Sequence, residues 1–173
     1  MTPAELKHYL IHGASTNGLA NTLANGGICW WLIQDKGPVG WWENSNFGGD
    51  LLATGFILPF IIALIVIPLH NKKVCSGSLP SVPTDLVPRW MVWVLGMPQS
   101  VWLRGVLFGL IGVVVFSLPT LGLLALLKVN TFSPAQYALF KGVWAGLVAF
   151  ILVMPMMTLA MNTAATNANI NHD

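Results

Sequence analysis

Residues 51–69, LLATGFILPFIIALIVIPL, contain no ionisable side chain. A run of this length matches the roughly 20 residues with which an α-helix crosses a ~30 Å hydrocarbon core. In that medium no water is at hand for backbone N–H and C=O groups, so the segment must satisfy them internally, and helix does so. Residues 105–127 are equally free of ionisable groups. Of the 173 residues, 55% are hydrophobic and 8% charged, whereas a soluble domain carries charge on about a quarter of its positions. A water-facing globule is excluded, and the length fits one integral membrane domain over residues 1–173.

Four crossings are predicted, at about 10–33, 51–69, 101–127 and 136–162. The last opens with Ser133, Pro134 and Gln136, a capping residue, a first-turn proline and a third-position amide that mark a helix start. The loop 70–104 holds Lys72, Lys73, Arg89 and Arg104, while 34–50 holds Asp35, Glu43 and Asp50 against Lys36. The positive-inside tendency therefore puts the long second loop and both termini in the cytoplasm. Lys128 and Lys141 oppose this, leaving five of the eight Lys and Arg inside. Trp30, Trp31, Trp41 and Trp42 read as an external interfacial belt. Within the long loop, RWMVWVLGMPQSVWLR carries Trp90, Trp93 and Trp102 among apolar residues, the pattern of a short segment lying on the inner leaflet. The expected fold is thus all-α, a bundle of four transmembrane helices plus that interfacial segment. Because Asn17, Asn21 and Asn25 dilute the stretch after Lys7, it is not a cleavable signal, and the N-terminus is expected to be retained.

The first crossing is unlike the others. Residues 13–27, GASTNGLANTLANGG, place Ala14, Gly18, Thr22 and Gly26 on one helical stripe and Asn17, Asn21 and Asn25 on another, with bulk only at Leu19 and Leu23. Unpaired amides in lipid cost a few kcal/mol each, and small residues let backbones approach closely. This helix is expected at the centre, surrounded by the other three or buried at a subunit contact. The asparagines either hold helices together or line a path for a solute or ion. Gly105 with Gly109 and Gly142 with Gly146 supply further close-approach motifs at two depths. The first pair is expected against the first helix near Ala14 and Gly18, the second near Thr22 and Gly26. Pro59, Pro119 and Pro155 each interrupt a crossing, as static kinks or as hinges.

Asp50 opens the second crossing, where a carboxylate complements a helix N-terminus. Lys141 lies about two turns into the fourth from the same face, so an Asp50–Lys141 ion pair is expected; the competing reading lets Lys141 snorkel alone. Glu5, His8 and His12 share one stripe, and His70 and His172 fall toward the same face, but no HExxH or CxxC is present and neither metal nor haem is expected. No nucleophile beside a base, carboxylate pair or phosphate-cradling loop appears, so no catalytic residue and no cofactor are assigned. The eight basic residues form no run interleaved with aromatics, which argues against nucleic acid as a partner. Cys29 and Cys75 fall at opposite faces of the bilayer, too far apart for a disulfide.

The stretch GGDLLATGFILPFIIALIVIPL, with WLRG at 102–105 and ALFKG at 138–142, resembles a group of small uncharacterised four-helix proteins of the bacterial inner membrane, sometimes labelled permease-like. The resemblance implies location and fold and brings no substrate, cofactor or catalytic residue. The leading expectation is a non-catalytic membrane protein, a small subunit or assembly partner that contacts other membrane subunits or itself; the alternative is a small permease or channel working as a homo-oligomer.

Overall fold

The computed structural model describes residues 1–42 and 46–170, with side chains as far as residue 162. Glu43 and His172 lie outside the described residues. The chain forms helices α1 (Pro3–Ile33), α2 (Phe47–Cys75), α3 (Val101–Leu126) and α4 (Pro134–Ile170), with short 3-10 segments at Thr84–Leu86 and Arg89–Gly96 in the long loop. Among the described residues there is no strand, only isolated bridges such as Val39 with Phe132. Three helical stretches are long and apolar enough to cross a membrane: Phe47–Cys75, Val101–Leu126 and Pro134–Asn162. At 31 residues α1 has the length, but its amides, hydroxyls and glycines lower its apolarity.

Local chemistry sets the helix starts. At α1, Thr2 Oγ1 accepts from Glu5 N at 3.3 Å while Thr2 N donates to Glu5 Oε2 at 2.7 Å, a reciprocal cap followed by Pro3 in the first turn. Ser133 and Gln136 make the same exchange at α4, at 3.0 and 3.3 Å, as their spacing predicts. Beyond the helices, two sets of loops close the bundle at opposite ends. At one end Val39 and Phe132 exchange backbone hydrogen bonds, both 2.9 Å, and Trp41 Nε1 donates to Val129 O. At the other, Val82 N donates to Met161 O and Asn162 Nδ2 donates to Val82 O.

The central helix is α4, not α1. In their most apolar windows, 72% of residues in α4 are buried, against 39% in α2 and 28% in α3. Small residues on more than one stripe, among them Ala138, Ala145, Ala149 and Gly142 with Gly146, let α1 and α2 both lie against it. By contrast α1 buries one stripe, Leu6, Leu10, Ala14, Gly18 and Cys29, and leaves Leu19 and Leu23 64% and 68% exposed. Its lack of bulk permits close approach on one side without requiring neighbours on all sides.

The glycine pairs divide accordingly. Gly142 and Gly146 meet Gly18, Thr22 and Gly26, so close that a Cβ on Gly142 would stand 2.8 Å from Thr22 O. Gly105 and Gly109 meet α2 instead of α1: added Cβ atoms would stand 3.0 Å from Phe60 Cδ2 and 2.8 Å from Phe56 Cδ2. The neighbour expected for this pair, α1, is not the one it meets, because a small stripe states only that something packs closely.

The α2–α3 crossing also uses residues outside the two glycine pairs. Pro59 has no N–H, which frees Gly55 O four residues upstream, and Gly112 sits against that oxygen with no room for a Cβ. From Gly112 to Ser117 α3 widens into a π-turn just before Pro119, a local rewinding that accommodates the proline ring. Ser117 Oγ then donates to Leu51 O at 2.8 Å. Substituting Gly112→Leu is expected to destabilise the protein by about 3 kcal/mol, the upper part of the range for overpacking. A denaturant titration in micelles showing less than about 0.5 kcal/mol of change, the level of a surface substitution, would contradict this contact.

Candidate functional site: an asparagine-lined groove

Because α1 and α2 both rest on α4 and hardly touch each other, a groove of about 440 Å³ remains between them. One wall is the stripe Asn17, Asn21 and Asn25 of α1; the other is α2 from Asp50 to Val66. At 1.5 Å per residue that wall runs roughly 24 Å, most of a hydrocarbon core. It is apolar along Ile57, Ile61 and Ile65, each of which is exposed, and polar at Thr54 and Asp50 near one end.

The asparagines satisfy half of their own chemistry. Asn17 Nδ2 donates to Gly13 O at 2.9 Å, Asn21 Nδ2 to Asn17 O at 2.9 Å and Asn25 Nδ2 to Asn21 O at 3.1 Å. A backbone carbonyl only accepts, so each amide nitrogen must face it and each side-chain oxygen is turned away. None of these three oxygens accepts a hydrogen bond among the described residues. This corrects the expectation of amides that need a surrounding bundle: one N–H of each amide is met within the helix, and what remains is a ladder of carboxamide oxygens, each with a second N–H beside it, facing an apolar wall.

Asp50 and Lys141 meet at the end of the groove. Lys141 Nζ lies 2.6 Å from Asp50 Oδ1, and Tyr137 OH donates to Asp50 Oδ2 at 2.5 Å. The lysine side chain is 13% exposed and the aspartate 33%. Each carboxylate oxygen thus has one strong donor, and the first turn of α2 adds the positive end of its dipole. Sequence reasoning missed Tyr137, although it stands four residues before Lys141 and therefore on the same helical stripe. Thr54 was missed too, one turn after Asp50 and on its face.

The other candidate residues serve packing. Gly18, Thr22, Gly26, Gly142 and Gly146 form the α1–α4 seam, with Thr22 Oγ1 donating to Gly18 O. Gly105 and Gly109 lie on the α2–α3 seam, outside the groove. The histidines scatter: His8 and His12 stack on the face of α1 that is exposed, while His70 is buried, its ring edge-on to Tyr9 and its Nδ1 2.8 Å from Val66 O. Among the described residues no group of three or more His, Cys, Asp or Glu side chains is placed to hold a metal ion. Cys29 is buried and Cys75 exposed, both as free thiols. Arg104, counted above as a loop cation, is buried in the first turn of α3 with Nε donating to Pro98 O at 2.6 Å. Comparisons with protein-family models, curated proteins and solved structures give no match, so the groove is read from its own residues.

Proposed function

We propose that the chain is a four-crossing protein of the bacterial inner membrane, with both termini in the cytoplasm, that acts without catalysis as a small subunit and receives a transmembrane helix of a partner in the α1–α2 groove. The observation that carries this reading is the ladder of three unpartnered carboxamide oxygens, at four-residue spacing, along a groove with an exposed apolar wall. In lipid each such group costs roughly 1–3 kcal/mol. A helix bearing Ser, Thr, Asn or Gln at the same spacing supplies donors in register and covers the isoleucines.

The crossing by α1 is supported by its path along α4. Gly13 lies at Met157 and Gly26 at Gly142, so the two helices run antiparallel side by side through the depth that α4 spans. The orientation is supported by charge: Lys7, Lys72, Lys73 and Arg89 gather at the end of the bundle that holds the long loop, and Lys36 and Lys128 at the other.

Substituting Asn21→Leu removes the middle acceptor without touching the α4 seam. The expected result is loss of co-purifying membrane subunits in mild detergent, with the melting temperature of the isolated chain unchanged within a few degrees. If the same variant keeps its partners, or if purified wild-type chain in liposomes carries a solute flux that Asn21→Leu abolishes, the subunit reading fails. The flux result would favour the homo-oligomeric permease or channel instead.

A further inference from the structure

A second cavity, of about 630 Å³, lies at the opposite end of the bundle from Asp50, between the first turns of α1 and the 3-10 segments of the long loop. Its size falls within the roughly 300–1,000 Å³ of small-molecule sites. The floor is apolar and built in: Leu6, Leu10 and Met91 are all buried. In the Arg89–Gly96 segment, Met91 and Val94 point inward three residues apart while Trp90 and Trp93 are exposed. That is the eclipsed spacing of a 3-10 helix, and it leaves two indoles outward, the side chain that favours the boundary between lipid headgroups and acyl chains. Around the mouth stand three exposed charges, Lys7 from α1, Asp85 from the Thr84–Leu86 turn and Arg89. None of the three forms an ion pair among the described residues, although they line one cavity.

We infer that this cavity is a binding site for a glycerophospholipid with a primary amine in its headgroup: Lys7 and Arg89 hold the phosphate, Asp85 takes the ammonium, and an acyl chain lies over Leu6, Leu10 and Met91. The assignment follows from charge complementarity. Two cations beside an apolar floor match a phosphodiester joined to hydrocarbon, and the carboxylate, which would repel a purely anionic headgroup, matches one bearing a positive amine. A free inorganic phosphate or a soluble phosphoamine has no use for the floor, and a neutral diacylglycerol has none for the cations. The site is independent of the asparagine groove, since it shares no lining residue with it.

The full chain, delipidated in mild detergent and offered phosphatidylethanolamine, phosphatidylglycerol, diacylglycerol or inorganic phosphate one at a time, tests this by native mass spectrometry. The expected result is retention of phosphatidylethanolamine at least fivefold above each of the others. In the double variant Lys7→Gln, Arg89→Gln that retention drops at least fivefold, while Lys7→Arg, Arg89→Lys keeps it. Asp85→Asn abolishes the preference over phosphatidylglycerol. Equal retention of diacylglycerol, equal retention of phosphatidylglycerol by the wild-type chain, or retention unaffected by the glutamine pair would each overturn the assignment. Should the glutamine pair fail to fold, Ile11→Trp, which narrows the cavity and leaves all three charges, is expected to give the same loss, and unchanged retention in it overturns the proposal.

Discussion

Gly146→Leu is expected to separate α1 from α4. A Cβ at this position overlaps Thr22 Oγ1 and stands 2.8 Å from Gly18 O, and the second of these is backbone, which cannot rotate aside. The helices must move apart over the whole seam, forfeiting contacts from Gly13 to Cys29. Overpacking of a tight core costs typically about 1–3 kcal/mol and sometimes more, and the upper end applies where the obstacle is a carbonyl. Reversible unfolding in mixed micelles should show the loss, with Gly122→Leu as the control. Gly122 has nothing within 4 Å of its missing Cβ, so the same change there is expected to stay within about 0.5 kcal/mol. Equal effects at the two sites would mean that the seam is not as close as described.

The second large effect is an asymmetry at the charged end of the groove. Asp50→Leu leaves the Lys141 ammonium, 13% exposed, without its carboxylate and takes the acceptor from Tyr137 OH. Removing one member of a buried pair costs about 3–5 kcal/mol; with the aspartate side one-third open to its surroundings, about 2–3 kcal/mol is expected here. Lys141→Met is milder, about 1–2 kcal/mol, because Asp50 keeps Tyr137 and the positive end of α2. The double variant Asp50→Leu, Lys141→Met should recover most of the loss, since no uncompensated charge remains. A double-mutant cycle measures this directly. If both single variants and the double remain within about 0.5 kcal/mol of the wild type, the lysine reaches the headgroups without help and the pair contributes nothing.

The two expectations differ in how much of each was legible beforehand. Depth made Asp50 and Lys141 candidate partners and left open whether the lysine pairs or snorkels alone; the structure shows the pair. A charge near the start of one apolar run and an opposite charge two turns into another must lie at the same level, and few partners exist there. The α1–α4 seam was half legible: Gly142 and Gly146 announced a close approach at the level of Thr22 and Gly26. The identical kind of signal at Gly105 and Gly109 pointed to the wrong helix, because the absence of a side chain carries no information about which backbone fills the space. The asparagines illustrate a further limit. Their spacing says that Asn17, Asn21 and Asn25 share a face; whether each amide turns to its own helix or to a neighbour depends on what stands opposite. Here the near edge of α2 is apolar, and one N–H of each amide turns back to the carbonyl four residues upstream.

Sequence by itself determined that this chain is helical and that 51–69, 101–127 and 136–162 have the length and apolarity of membrane spans; in the structure they correspond to the helical stretches Phe47–Cys75, Val101–Leu126 and Pro134–Asn162. The reason is local: long runs without ionisable groups satisfy their backbone hydrogen bonds only within themselves, and Ser133 with Gln136 marks a helix start within four residues. Only the tertiary structure decided that α4 rather than α1 is the hub, that Gly112 packs directly on the backbone of Gly55, and that a groove lined by carboxamide oxygens lies open between α1 and α2. Those outcomes depend on which surfaces fit which, a property of pairs of helices that no single helix contains.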